Sequence, residues 1–446
     1  MQISEQFFYV DNLSLIMMAL NAFVAISVAS FSSRYLKGDR RQFSFYLNLV
    51  ILVSAVFVTV SADNILLLIV SWTVSNILLT RLMLHKREWE AAWQSALLAL
   101  KNFTLGVFFL GSALLLLYTV TGETSIQAIL NKPIGMTTVV CASLLILLTA
   151  MTQSALWPFH RWLTSSLNSP TPVSAIMHAG LVNGGGFLLA RFAPMLSDQP
   201  VVLDVIFTAG VVTALVGILW KLMQSDVKRM LACSTMGQMG FMIAQCGLGL
   251  FPAAVAHLCW HGLFKAYLFL ASSSSAQERR LDLGYPPSIK HFSLALMCGV
   301  LGAGVFSFTS GKDLSVGYTT WFLIWLAIIA GTQFALPIIR SYSLAKNPMF
   351  LITITSTATA CLGALYGFSI RLMERELALL NISNPQPLNA LHLFALLVMT
   401  TSWLVMLFVR REKSYPDWIL KAYVRILNAS QPHPKTVTAH RNHYRY

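Results

Sequence analysis

The sequence is short of charge. Asp, Glu, Lys and Arg make up only 11% of its 446 residues, against about 25% in soluble domains. Acid is scarcer than base, with 17 Asp and Glu against 31 Lys and Arg. No long polar stretch interrupts the apolar runs, so the classes of soluble enzyme drop out. The six cysteines, at 141, 233, 246, 259, 298 and 361, lie scattered in apolar runs without a C-x-x-C pair. Neither a disulfide framework nor a metal site is supported, and no cofactor is expected in this chain. Nucleotide loops, haem ligand pairs, iron–sulfur motifs and hydrolase triads are missing as well. The first apolar run has no basic region before it and no A-x-A-like site after it, so no cleavable signal peptide is expected.

What is present is hydrophobic sequence: 56% of residues and a mean hydropathy of +0.66. A window of about 19 residues gives about thirteen spans, centred near Met18, Leu52, Trp72, Phe108, Leu145, Leu181, Val212, Ile243, Leu263, Val300, Ala327, Ile354 and Leu397. The expected class is an all-α polytopic membrane protein, with the lipid bilayer as its solvent. Basic loops (among them Arg34–Arg41, Lys221–Arg229 and Arg410–Lys413) alternate with loops poor in net charge. The positive-inside rule then puts the N-terminus outside and the C-terminus in the cytoplasm. The same rule accounts for the net charge of +14 without nucleic acid. Residues 1–413 read as the membrane domain, and residues 414–446 as a cytoplasmic amphipathic helix with a basic tail. In that helix Trp418, Ile419, Tyr423, Ile426 and Leu427 share one face, and Lys421 and Arg425 lie beside it. An interfacial helix and a docking helix for a partner are both open readings.

One row of residues concentrates the chemistry. His257, His261 and Lys265 are spaced four apart within the apolar run Phe251–Ala271, so a helix sets them on one face. A charged Lys at membrane depth costs about 2.5–3.5 kcal/mol on insertion scales unless it faces protein or water. Two imidazoles and an amine in a row can pass protons, so the row is read as part of an intramembrane proton relay.

Other polar residues sit at membrane depth. Pro170 and Pro172 introduce a short span that holds His178 and the run Asn183–Gly186. Pro removes backbone donors and Gly permits unwinding, so a broken helix is expected with Gly184 and Gly185 at the break. Close helix packing at these glycines is the alternative. Such breaks commonly mark ion sites, and His178 beside one joins the candidate relay. Lys101 lies about ten residues into its span, about 15 Å deep. It is a candidate for charge transfer, with a structural ion pair as the alternative. Lys312 and Asp313, near the end of a later span, join the candidate relay, and a solvated turn is at least as good a reading of them. Asp226, Lys228 and Arg229 mark the cytoplasmic entrance to the span before the histidine row.

Three groups of residues carry a family resemblance. Ser154-Ala155, Pro158, Trp162-Leu163 and Ser169–Ala175 with His178-Ala179 form the first. Asp226–Ala232, Ser234–Gly240 and the His257, His261, Lys265 row form the second. Together they resemble the antiporter-like subunits of respiratory complex I and of Mrp-type cation/proton antiporters, over roughly residues 154–271. Finer wording, Asn168–Asn183, Ala190–Pro194 and Gln245–Val255, is similar to the DabB family, the membrane subunits of bacterial inorganic-carbon accumulation complexes. The resemblance implies an antiporter-like fold with discontinuous helices and a bacterial inner-membrane location. It also implies a cytoplasmic DabA-like partner that carries zinc and hydrates CO2 while this chain conducts a cation, protons with Na+ as the alternative. The chemistry would sit in the partner, so the chain itself is expected to be a transporter subunit and no enzyme. One departure stands out. Where complex I subunits carry a Glu after the counterpart of Trp72 and a Lys before Ser154, this chain has Thr73 and Gln153, neither of which carries a proton as those groups do. An Mrp-type or complex I-like subunit, and a passive anchor for a peripheral enzyme, are the rival readings.

Overall fold

The computed structural model describes residues 7–272, 286–312, 318–341, 348–380, 382, 384–408 and 416–437. It is all-α. In chain order the helices are α1 (Asn12–Tyr35), α2 (Gln42–Ser61), α3 (Ile65–Met83), α4 (Glu90–Thr121), α5 (Ile126–Asn131), α6 (Met136–Gln153), α7 (Arg161–Thr164), α8 (Thr171–Ala179), α9 (Gly184–Arg191) and α10 (Ala193–Leu196). They continue with α11 (Pro200–Met223), α12 (Val227–Gly247), α13 (Phe251–Leu270), α14 (Ile289–Ser310), α15 (Thr320–Ser341), α16 (Pro348–Glu376), α17 (Ala390–Phe408) and α18 (Asp417–Ala429). Their ends follow local chemistry: Asp11 caps α1, its carboxylate taking the Ser14 amide at 2.8 Å, and Asn64 caps α3.

Twelve helices among the described residues are long and apolar enough to cross a membrane, where about thirteen were expected. The difference is α12. It has 21 residues, enough for a span, but Lys228, Arg229, Ser234, Thr235, Gln238 and Gln245 dilute its apolar character. Thr235 and Gln245 are wholly buried, so protein rather than lipid surrounds this polarity.

The chain divides into two compact units. The first holds residues 1–247, 257–276 and 421–446, and the second holds 248–256 and 277–420. The boundary expected at 413/414 falls in residues 409–415, outside the described set. Within the first unit α11 and α12 touch backbone to backbone. A Cβ on Gly217 would stand 2.4 Å from the Gly237 amide nitrogen, and one on Gly240 would stand 2.5 Å from that of Ala214. Small residues allow this approach, which is how membrane helices associate without a hydrophobic driving force between them. The second unit repeats the device: a Cβ on Gly363 of α16 would meet the Gly302 carbonyl oxygen of α14 at 2.2 Å.

The span Thr171–Arg191 is broken, as expected, and the break falls one turn earlier than the glycine run. α8 ends at Gly180, residues Leu181–Asn183 form a single 3-10 turn, and Gly184–Gly186 already belong to α9. Pro170 is the residue before α8 and Pro172 lies in its first turn, where the missing amide proton costs nothing. Gly184 and Gly185 serve packing: a Cβ would meet Gln153 Cγ at 3.1 Å from the first and Ser154 Oγ at 2.3 Å from the second.

The far end of the broken span is clamped. Arg191 Nη1 and Nη2 donate to the two carboxylate oxygens of Asp11 at 2.5 and 3.1 Å, and Nη2 also reaches the Val60 carbonyl at 3.0 Å. Both side chains are buried, at 5% and 8% exposure. Burial pushes the Asp11 carboxyl up, but hydrogen bonds and charge from Arg191, with bonds from Ser14, outweigh it and hold the group below 3.8. A carboxylate with a lowered folded-state value stabilises the fold above its unfolded value. The clamp's contribution is therefore complete above about pH 4 and lost as pH falls below it. Asp11→Ala leaves a buried guanidinium without its carboxylate and is expected to cost about 3–5 kcal/mol, read as a lower thermal midpoint in detergent with Asp11→Glu as the partial rescue.

Candidate functional site

Lys265, on α13, is 1% exposed. Its ammonium donates to the Leu231 carbonyl of α12 at 3.0 Å, and no carboxylate pairs with it among the described residues. The same carbonyl accepts the Thr235 hydroxyl at 3.0 Å. Thr235 Oγ1 in turn lies 3.1 Å from His178 Nδ1 of α8. With the hydroxyl donating to Leu231, the imidazole carries its proton on Nδ1 and donates it to Thr235. Rotation of the hydroxyl reverses that bond. The result is a chain of polar atoms from Lys265 through the Leu231 carbonyl and the Thr235 hydroxyl to His178, all in the first unit and all buried.

The rest of the row frames this chain. His261 Nε2 donates to the His178 carbonyl at 3.3 Å. That carbonyl is left free by the end of α8, so the imidazole satisfies a backbone group at the break. Phe269 stacks on the His178 ring at 4.3 Å between centroids, which fixes the ring plane. His257 lies one turn from His261, with ring centroids 6.1 Å apart, and its edge-on neighbour is Phe241 at 5.2 Å. Its buried Nε2 has no hydrogen-bond partner among the described residues. The helical spacing thus brings His261 and Lys265 to α8 and α12, and leaves His257 a turn further along.

Lys228 lies near the start of α12, against the residue that precedes Pro170 and α8. Its Nζ reaches the Ser169 carbonyl, just before α8, at 3.5 Å. Asp226 caps the start of α12 by taking the Arg229 amide at 2.9 Å, and Arg229 bonds the Gln431 side chain at 3.1 Å. The remaining candidates lie elsewhere. Lys101 stands on the exposed face of α4 without a hydrogen-bond or ion-pair partner among the described residues. Its neighbour Asn102 binds the Thr152 carbonyl at 2.9 Å. Lys312, in the second unit, is paired with Glu374 of α16. Asp313 lies outside the described residues.

Thr235 was not singled out from the sequence as a relay residue. The signal was its place four residues after Leu231, which lets a helical Thr hydroxyl reach back to that carbonyl, on a helix too polar to be lipid-facing. Gln153 and Asn76 form a neutral pair, Gln153 Nε2 donating to Asn76 Oδ1 at 3.1 Å and to the Leu181 carbonyl at 3.2 Å. A cavity of about 30 Å³ lies beside them, lined in part by Asn21, Ser75, Gln153 and Gly180, large enough for one or two waters. Among the described residues no group of three or more His, Cys, Asp or Glu converges as a metal site does.

The fold is that of an antiporter-like membrane subunit, a broken span with His178, His261 and Lys265 buried beside it. The family model described as "NADH:quinone oxidoreductase/Mrp antiporter, TM" matches residues 62–299, and "NADH-Ubiquinone oxidoreductase (complex I), chain 5 N-terminus" matches residues 5–46. The chain belongs to this antiporter-like membrane family, and it is a multi-pass protein of the bacterial inner membrane. Within the family it is 38% identical over 291 residues to the probable inorganic carbon transporter subunit DabB1 of Halothiobacillus neapolitanus, covering 64% of this chain and 52% of that protein. The probable inorganic carbon transporter subunit DabB of Bacillus subtilis is 36% identical over 278 residues, 61% of this chain and 55% of the relative. The chain thus spans about half the length of these relatives. The structure of the Mrp complex from Dietzia sp. DQ12-45-1b shares the fold with a TM-score of 0.64 at 23% identity, over 95% of this chain and 52% of that one.

Thr235→Val keeps the shape of the side chain and removes its hydroxyl. Proton flux through the reconstituted chain, followed with a pH-sensitive dye, is expected to fall by about 10²-fold, the lower range for loss of a proton-transferring group. Thr235→Ser is expected to retain it.

Proposed function

We propose that this chain is a proton-conducting membrane subunit that couples the proton gradient to a soluble zinc-bearing partner, which hydrates CO2 to bicarbonate. The observation that carries the reading is Lys265, an amine buried without a carboxylate and joined through Leu231 and Thr235 to His178. An ammonium at membrane depth is costly and serves no packing need that Leu or Met would not meet better. The Leu231 carbonyl accepts from both Lys265 and Thr235 and passes no proton itself, so transfer requires the Lys265 amine to turn from that carbonyl to the Thr235 hydroxyl, which both accepts and donates. The direction of travel follows the loop charges: Lys228 and the basic end face the cytoplasm, and Asp11–Arg191 closes the broken span at the outer end.

The relay works without a charged pair at Thr73 and Gln153. The Gln153 amide is fully committed to Asn76 and Leu181, which makes it a neutral brace for the break and leaves proton transfer to the His178, His261 and Lys265 side. This counts against an Mrp-type or complex I-like role, in which that pair carries protons. A passive anchor has no use for a buried Lys and three buried histidines. Protons are favoured over Na+ because the polar atoms meeting Lys265 and His178 include no carboxylate to hold a metal cation. Each proton crossing 100 mV supplies about 2.3 kcal/mol, so one or a few suffice to drive hydration strongly in one direction.

In a bacterium that depends on the complex for growth in ambient air, Lys265→Ala and His261→Ala are each expected to abolish that growth while elevated CO2 restores it. Normal growth in air with a normally assembled complex overturns the relay. Purification from native membranes is expected to bring down one large soluble zinc protein. A set of further membrane subunits instead would favour the antiporter reading.

A further inference from the structure

The segment after α18 is stitched to the end of the first unit that receives Lys228. Ser430 Oγ accepts from Gln224 Nε2 at 2.9 Å, and Gln431 Oε1 accepts from Arg229 Nη1 at 3.1 Å. The His433 amide donates to Ser165 Oγ at 2.9 Å, and the Thr436 carbonyl accepts from Asn168 Nδ2 at 2.7 Å. Ser430 and Thr436 are 3% and 2% exposed, so the strap is seated rather than draped. Ile426, at the root of the strap, packs against Trp220, Cys233 and Met236.

The partners of the strap fall on both sides of one contact. Gln224 and Arg229 bracket Lys228. Ser165 and Asn168 lead into Ser169, whose carbonyl receives the Lys228 ammonium. The Ser165–Ser169 loop is itself tied to α4, where Ser95 Oγ donates to the Ser165 carbonyl at 2.8 Å. It runs directly into Pro170, and so into α8 and His178. The strap therefore spans the meeting point of α8 and α12, the two helices whose side chains meet as His178 and Thr235.

We propose that Ser430–Thr436 is a latch that holds the basic-end access to the relay closed. The proposal rests on the reading of Lys265, Thr235 and His178 as a proton path. Seated, the latch pins the loop before Pro170 and keeps Ser169 covered, its hydroxyl buried, with Lys228 against its carbonyl. Lifted, it frees that loop and admits water past the already half-exposed Lys228 to Ser169. The four bonds are individually weak and easily exchanged for water, so the segment can leave as a unit.

The test is proton flux through the full chain in proteoliposomes under an imposed gradient. Asn168→Ala with Gln224→Ala removes two of the four bonds and touches no relay residue. Flux is expected to rise severalfold, and Lys265→Ala added to that chain is expected to abolish the gain. A second arm restores the latch covalently. Cysteines at Gln224 and Ser430, in a chain whose exposed Cys141 and Cys361 are serine and which also carries Asn168→Ala, are bridged by a short reducible thiol cross-linker. Bridging is expected to return flux to the parent level, and reductant to release it. Equal flux in the bridged and released states, or a gain that survives Lys265→Ala, overturns the latch. Lys265-dependent flux in the parent that unlatching leaves unchanged overturns the latch alone, whereas flux independent of Lys265 in every chain overturns the relay and the latch with it.

Discussion

Four carbonyls set the terms of this structure. Where the Thr171–Arg191 span breaks, the carbonyls of His178, Ala179, Leu181 and Val182 leave the regular helical pattern at a depth without bulk water, Leu181 keeping only the Gly184 amide of the 3-10 turn. An unsatisfied backbone group in hydrocarbon costs several kcal/mol. Each of the four is met by a side chain: His261 on His178, Asn183 on Ala179, Gln153 on Leu181 and Ser154 on Val182. The donors come from α13, from the turn itself and from the end of α6. The break therefore dictates what its neighbours can be, and it holds α6, α8 and α13 in one register. The polarity at the heart of the first unit is first a debt of the backbone, and the proposed relay draws on groups already placed to settle it.

Seen this way, the residues at the relay divide by what they give the backbone. His261 donates one nitrogen to structure and keeps the other for chemistry. Gln153 gives both amide protons to acceptors and keeps none to transfer. Lys265 and Thr235 share one carbonyl, Leu231, so the two reach a common atom without touching any carboxylate.

Much of this was legible in the sequence. Apolar windows marked the spans, the Pro170 and Pro172 pair marked the break, and four-residue spacing put His257, His261 and Lys265 on one face. The rest depends on contacts between helices that no local pattern carries. The break lies at Gly180–Asn183 because Gly185 must let α9 approach Ser154 and the Ala150 carbonyl, and a glycine run cannot announce which of its two uses applies. Lys101 has the depth of a buried charge along its helix, but its face is the exposed one. The 32-residue α4 is long for a span, so depth counted from one end misleads. The Arg191 clamp has no local signature, because its carboxylate lies 180 positions away. Thr235 looked like one more small polar residue on a polar helix until Leu231 and His178 stood on either side of it.

The backbone contact between α11 and α12 has a mechanical meaning. Glycines along both helices lock them at several turns, from Gly210 beside Ala244 to Gly217 beside Gly237, so the pair cannot roll or slide without collision. Leu231 and Thr235 are thus mounted on a stiff two-helix beam. Lys265 meets that beam from α13 on a four-carbon stem, buried and bonded to the Leu231 carbonyl. In the proposed relay the Leu231 carbonyl is thus the fixed point, and the Lys265 amine held to it by one hydrogen bond is the part left to move.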